Sequence, residues 1–207
     1  HTLIVLSADH GMADMPEYMS ELGYEVGRLD LTDLETIANE VGEAFGVDKV
    51  VRLFYRPYLY LDEEKILAAG ADATEAARAI ADALTALDGV ALAAATAHLD
   101  DLNGHPLLAQ IRNNQHVSRS GDIYIAQEPY WFLFEKGPIR VMHGSPWRFD
   151  THVPIIFAAA GVQAQRVHRP VHPVDVAPTI AALLGISPPA SARGTVLNEV
   201  ARSGRTE

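Results

Sequence analysis

Two uncharged apolar runs constrain the fold of this chain most strongly, because neither alternates between apolar and polar residues. The first is T-L-I-V-L at residues 2–6, and the second is V-P-I-I-F-A-A at residues 153–159. Runs of this kind are typical of interior strands in a parallel sheet, where both faces are covered. The sequence therefore predicts two central strands of an α/β sheet.

Acidic and imidazole side chains adjoin both runs. Asp9 and His10 follow the first run, and His152 immediately precedes the second. Ligand sites in open α/β sheets lie at the carboxyl ends of strands, and Asp and His are ligands that zinc and similar divalent ions accept. These residues are either metal ligands or polar turns that end a strand. The second cluster, which also contains Asp150 and Thr151, is the more specific signal.

Composition excludes several other classes of protein. The 207 residues carry 16 basic and 27 acidic side chains, a net charge of −11, which argues against binding to a nucleic-acid backbone. The absence of cysteine excludes disulfides and thiolate metal sites. There is no apolar run of about 18 residues and no signal peptide, so we predict no membrane binding and leave the cellular location open.

The middle of the chain predicts a small α+β insertion. Capping boxes at Thr32 with Glu35 and at Asp72 with Glu75 each begin a helical pattern. The predicted strands are Val50–Tyr55, Tyr58–Leu61 and Val90–Ala95. We expect an insertion over residues 31–117 and a core formed by residues 1–30 and 118–207; alternatively, these elements extend the main sheet.

The two ends of the chain predict the remaining elements. A helix is expected after Pro16 and another from Asp175 to Leu184, closed by Gly185. The predicted late strands are Asp122–Ala126, Tyr130–Phe134 and Val153–Ala159.

Three motifs together resemble the alkaline phosphatase superfamily, in particular its type I phosphodiesterase/nucleotide pyrophosphatase branch. They are S-A-D-H-G at residues 7–11, H-G-S-P-W-R-F-D-T-H-V-P at 143–154, and V-D-V-A-P-T-I-A-A-L-L-G-I at 174–186, with Arg193-Gly194 soon after. The resemblance implies the C-terminal portion of a mostly parallel sheet flanked by helices. It also implies that Asp9 and His10 bind one of two zinc ions and that His152 binds the other.

The resemblance also shows which catalytic parts are missing. Family members use a Thr or Ser nucleophile, an accompanying Asp and a D-x-x-x-H motif, none of which has a counterpart here. We therefore expect no catalytic residue in this chain and a nucleophile upstream of residue 1. Ser7 and Thr151 are not expected to act as nucleophiles. His143 either orients a metal-bound histidine or caps the turn at Gly144.

These implications define two functional hypotheses. The first is part of a zinc-type phosphomonoesterase or phosphodiesterase that acts on a small phosphate ester, is inactive alone and binds zinc weakly or not at all. The second is a non-catalytic domain of the same ancestry that acts in binding or assembly. Both include self-association, because an apolar strand at an open sheet edge pairs readily with another chain. Members of the family are often periplasmic or secreted.

Overall fold

A computed structural model of the chain describes residues 2–133 and 139–203. It contains two compact units, each described separately below. The ladder unit comprises the residues up to Gly11 and those from His152 onward, and the sheet unit is Met12–Thr151. The strands are β1 Leu3–Ser7, β2 Val51–Tyr55, β3 Tyr58–Leu61, β4 Val90–Ala95, β5 Ile123–Gln127 and β6 Ile155–Ala159. The α-helices are α1 Pro16–Glu21, α2 Leu31–Ala44, α3 Glu63–Ala68, α4 Ala73–Thr85, α5 Leu108–Asn114, α6 Arg148–Thr151, α7 Val176–Leu184 and α8 Asn198–Ser203.

The sheet unit is built on a four-stranded antiparallel sheet in the order β2-β3-β5-β4. Strand β5 is buried on both faces: Ile123 and Ile125 join one apolar cluster, whereas Tyr124 and Ala126 join the other. The first cluster includes residues of α2 and α4, and the second includes Ile111 of α5. Two layers of helix therefore cover this sheet, and its central strand has no exposed face.

Local signals set the helix boundaries of the sheet unit. Asp72 caps α4 as predicted, and its carboxylate accepts hydrogen bonds from the backbone N–H groups of Thr74 and Glu75. The start of α2 differs from the prediction, because Asp30 rather than Thr32 is the N-cap and accepts from the Thr32 N–H at 2.8 Å. A carboxylate two residues upstream supplied the cap in place of the predicted hydroxyl.

Two predictions for the region after residue 117 differ from the structure. Strand β5, assigned to the core, pairs with β3 and β4 in the same sheet as the predicted insertion. The strand predicted at Tyr130–Phe134 is reduced to a single parallel bridge between Arg28 and Phe132; Phe134 lies outside the described residues. The exact domain division remains a prediction, and the two compact units have other boundaries.

The ladder unit contains β1 and β6, which pair antiparallel with each other. Both apolar runs do form strands, but the parallel neighbours that they predict are not among the pairings of the described residues. One face of the pair is also open to solvent, with Ile4 61% exposed, Leu6 58% and Ile156 50%. Both faces of these strands were expected to be buried, and among the described residues this expectation is wrong.

A buried carboxylate holds the C-terminal segment of the ladder unit against α7. Asp175 is 4% exposed and accepts hydrogen bonds from the backbone N–H groups of His172 (2.9 Å) and Thr195 (2.7 Å). The two segments approach so closely that a Cβ on Gly194 would lie 2.1 Å from the Val174 carbonyl oxygen. The glycine of the Arg193-Gly194 pair is thus required by close packing.

Candidate metal centre

Asp9 and His10 lie just beyond the end of β1 and are close to each other. The Asp9 Oδ1 atom accepts a hydrogen bond from the His10 backbone N–H at 3.1 Å, and it lies 3.8 Å from His10 Nε2. The Asp9 side chain is 90% exposed and that of His10 is 33% exposed. The carboxylate is therefore open to solvent, and the imidazole is partly sheltered beside it.

A backbone carbonyl fixes the tautomer of the neutral His10 ring. His10 Nδ1 lies 2.7 Å from the Gly11 carbonyl oxygen. A carbonyl oxygen can only accept a hydrogen bond, so Nδ1 carries the proton and Nε2 carries the lone pair. Metal-binding histidines are commonly oriented by such a bond from the other ring nitrogen.

The separation of the two candidate ligand atoms is compatible with one shared ion. Zinc binds carboxylate oxygen and imidazole nitrogen at about 2.0–2.2 Å each, so two ligands of one ion are at most roughly 4.3 Å apart. The 3.8 Å between Asp9 Oδ1 and His10 Nε2 lies within that limit. Asp9 and His10 therefore fit the implied metal in donor type, tautomer and spacing.

His152 lies at the same end of the β1–β6 ladder as this pair. The register pairs Ser7 with Ile155, so Asp9 follows the end of β1 where His152 precedes the start of β6. The antiparallel pairing thus places Asp9, His10 and His152 at the same end of the ladder. Within residues 2–133 and 139–203, no three His, Asp or Glu side chains are grouped closely enough to hold a metal ion. The assignment of all three residues as ligands remains a prediction.

His143 belongs to the sheet unit, and its backbone has a defined partner. The His143 carbonyl oxygen accepts a hydrogen bond from Arg56 Nη2 at 2.5 Å, and the residue is exposed. Its proposed role in orienting a metal-bound histidine remains untested. Gly144 next to it has a φ of 101°, a backbone conformation that favours glycine.

Asp150, which the sequence places in the cluster before His152 without assigning it a role, is a buried acid. It is 4% exposed, and its Oδ2 atom accepts hydrogen bonds from the Ser145 backbone N–H (2.7 Å) and hydroxyl (2.6 Å). The signal was present, since an acid in an otherwise apolar and aromatic segment must find partners when it is buried. Ser145 is consequently a partner of a buried carboxylate within the sheet unit.

Comparisons with known proteins find relatives that match nearly the whole chain. No protein-family model matches the chain. A protein of Myroides odoratus named calcium-transporting ATPase is 31% identical over 95% of this chain and 36% of its own length. Alkaline phosphatase PafA of Elizabethkingia meningoseptica is 25% identical over 96% of this chain and 36% of its own length.

The fold comparison gives the same result. The crystal structure of wild-type alkaline phosphatase PafA matches with a TM-score of 0.82 at 24% identity, covering 96% of this chain and 38% of PafA. The fold is thus the mixed α/β fold of part of an alkaline phosphatase, as the motifs predicted. The chain spans about a third of the length of the relatives that it matches. In the described part of the chain, no helix is long and apolar enough to cross a membrane. Over nearly its whole length, this chain is similar to part of alkaline phosphatase PafA in sequence and in fold.

Proposed function

We propose that the chain is part of a two-metal, zinc-type phosphate-ester hydrolase, a phosphomonoesterase or phosphodiesterase. In this proposal Asp9 and His10 bind one ion and His152 binds the other. The observation that supports it best is the β1–β6 register, which pairs Ser7 with Ile155 and so brings both sets of candidate ligands to one end of the ladder. The fixed tautomer of His10 supports it independently.

Each candidate residue has a definite chemical role in the proposed site. Two divalent ions would polarise a phosphoryl group and offset the charge that develops on its oxygens. Asp9 contributes a carboxylate oxygen and its negative charge, and His10 contributes a neutral nitrogen that the Gly11 carbonyl orients. His152 contributes a second imidazole from the start of β6.

The proposal assigns the remaining parts of the site to sequence upstream of residue 1. These parts are the Thr or Ser nucleophile, its neighbouring Asp and a D-x-x-x-H motif. Two ligands for one ion and one for the other are fewer than the three or four that zinc sites normally use. We therefore expect the 207-residue chain to bind zinc weakly and to be inactive alone.

The substrate in this proposal is a small phosphate ester. An alkaline phosphatase and an ATPase both break a bond between phosphorus and oxygen, and this shared chemistry supports a phosphoryl compound as the substrate. The net charge of −11 disfavours a nucleic-acid backbone as partner.

A non-catalytic role in binding or assembly is the second candidate, and one observation favours it. Ile4, Leu6 and Ile156 form an exposed apolar face on the β1–β6 pair. Within the described part of the chain, each strand of this two-stranded ladder also has one unpaired edge. Such edges readily pair with other chains. We accordingly propose that the chain self-associates through these strands, whichever function the intact protein has.

Hydrolysis assays of the complete open reading frame test the enzymatic proposal. With zinc present, the protein should hydrolyse p-nitrophenyl phosphate or its diester, and Asp9→Ala and His152→Ala should each lower the rate by about a hundredfold or more, as expected for residues that hold a catalytic metal. Arg78→Met is the matched control, since it breaks an exposed ion pair with Asp101 in the sheet unit. Turnover that both ligand variants retain in full would refute the assignment.

The 207-residue chain should show no turnover above background in the same assay. Turnover by this chain that Asp9→Ala abolishes would show that a nucleophile lies within these residues. Ser7, Ser145 and Thr151 would then be the first to substitute.

A further inference from the structure

Helix α1 of the sheet unit has an apolar surface that is only partly buried. Pro16 and Met19 are buried. Met15, Tyr18 and Leu22 are spaced three and four residues apart, so they share one face of the helix, which we call the α1 face. These three side chains are 44%, 47% and 56% exposed. An amphipathic helix normally turns its apolar residues towards a core, so the α1 face lacks the cover that its sequence predicts.

Unpaired acidic side chains accompany the α1 face. Glu17 is paired with Arg28, whose Nε atom donates a hydrogen bond to its carboxylate at 2.7 Å. Glu21 lies one turn after Tyr18, and Glu25 follows the helix. Both are exposed, and neither side chain has an ion pair among the described residues. A partner that packs on the α1 face would therefore match it best if it combined apolar side chains with basic ones.

A second copy of the chain does not have this combination at the same face. The chain has 27 acidic and 16 basic side chains, and most of the acids lie in the sheet unit. Two α1 faces that met would bring Glu21 and Glu25 of both copies together, and like charges in an interface oppose association.

The relatives indicate another source of cover. The chain spans only 36% of the length of the Myroides odoratus protein and of alkaline phosphatase PafA. A complete protein of similar length would contain further polypeptide that can pack on an exposed apolar face. Such packing within one polypeptide requires no association between copies.

We propose that the α1 face is a docking surface for an apolar segment with basic flanking residues, encoded upstream of residue 1. Met15, Tyr18 and Leu22 pack against the apolar side chains of that segment, and Glu21 and Glu25 pair with its Lys or Arg residues. This proposal shares with the proposed function only the expectation of upstream sequence, and it requires no metal.

Hydroxyl-radical footprinting with mass spectrometry tests the proposal on the 207-residue chain and on the complete open reading frame. In the complete protein, Met15 and Tyr18 should be oxidised about fivefold or more slowly, because their exposed fractions would fall from 44% and 47% towards the 5% of Met19. Tyr55 of β2, which is 71% exposed, is the reference and should react at the same rate in both forms. Equal rates for Tyr18 in the two forms, or an equal fall at Tyr55, would overturn the proposal.

A concentration series of the 207-residue chain distinguishes the proposed segment from a second copy. The rate of Tyr18 oxidation should stay constant as the concentration rises, whereas association through β1 and β6 should protect Leu6 and Ile156. A Tyr18 rate that falls with concentration would show that a second copy covers the α1 face, and it would overturn the proposal.

Charge reversal in the complete protein tests the basic character of the segment. Glu21→Lys with Glu25→Lys should raise the rate of Tyr18 oxidation about twofold or more, because like charges would then meet at the surface. Glu63→Lys with Glu64→Lys, which reverses two exposed acids of α3, is the matched control and should leave the rate unchanged. Full protection of Tyr18 in the first variant would contradict the basic flanks. None of these measurements contains zinc or substrate, so failure of the proposed metal site would leave their results unchanged.

Discussion

Strands β5 and β6 are similar in sequence, I-Y-I-A-Q and I-I-F-A-A, but they lie in different surroundings. Helices cover both faces of the sheet that contains β5, and four of its five residues are buried. Among the residues that the structure describes, strand β6 has a single neighbouring strand, and alternate residues along it are exposed. An apolar strand thus indicates that its faces must be buried, but it does not indicate which segment of the chain buries them. The proposed metal ligands Asp9, His10 and His152 all belong to the ladder unit, whose strands are more exposed.

The largest expected difference between the two units is in the cost of truncating an isoleucine. Ile125→Ala in β5 removes a fully buried side chain and should lower the free energy of unfolding by about 2–5 kcal/mol. Ile156→Ala in β6, where the side chain is 50% exposed, should cost less than about 1 kcal/mol. Urea denaturation measures both. Equal costs would mean that the exposed face of β6 is covered in solution.

Asp175 should be the most sensitive polar residue of the ladder unit. Asp175→Ala removes the acceptor for the N–H groups of His172 and Thr195 and should cost about 1–3 kcal/mol of unfolding free energy. Asp9→Ala, measured without metal, is the control, because its side chain is 90% exposed. It should change stability by less than about 0.5 kcal/mol. A cost below that level for Asp175→Ala would contradict the role of Asp175 in holding the C-terminal segment.

The same carboxylate should make the ladder unit sensitive to acid. Burial opposes ionisation of Asp175, but hydrogen bonds from the His172 N–H and from Thr195 lower its pKa below the ordinary value. The ionised form therefore stabilises the fold fully above the unfolded pKa of about 4, and this contribution is lost as pH falls through the folded pKa. Urea midpoints between pH 6 and pH 2 should fall less steeply for Asp175→Asn than for wild type. Parallel curves would exclude the effect.

Substitutions that weaken self-association should have the smallest effect on the stability of the fold. Leu6 and Ile156 are cross-strand neighbours on the exposed face, so replacing both with Thr should reduce association with little loss of stability. Sedimentation velocity over a range of concentrations measures the change, with Leu53→Thr, an exposed residue of the sheet unit, as the control. A wild-type chain that remains monomeric at high concentration would contradict the proposal.

Most of the sheet unit could be predicted from local signals. Asp72 caps α4, and the two predicted strands on either side of Arg56-Pro57 are present, because capping and strand pattern depend on neighbours in sequence. The membership of β5 in that sheet could not be predicted, since it depends on pairing with strands distant in sequence. The antiparallel partner of β1 was missed for the same reason.

The candidate site likewise has some features that the sequence predicts and others that depend on the fold. Asp9, His10 and His152 stand out in the sequence because they adjoin apolar strands. The tautomer of His10, in contrast, depends on the fold of the turn at Gly11. The hydrogen bond from Arg56 to the His143 carbonyl joins residues nearly ninety positions apart. No local pattern reports such a contact.

Zinc titration of the 207-residue chain tests the central claim most directly. If Asp9 and His10 are two ligands of one ion and His152 a single ligand of another, calorimetry should find weak binding or none. Any weak binding that is detected should disappear in Asp9→Ala and His10→Ala. Submicromolar binding that His152→Ala abolishes would contradict this account, because ligands beyond these three would then complete the site within the chain.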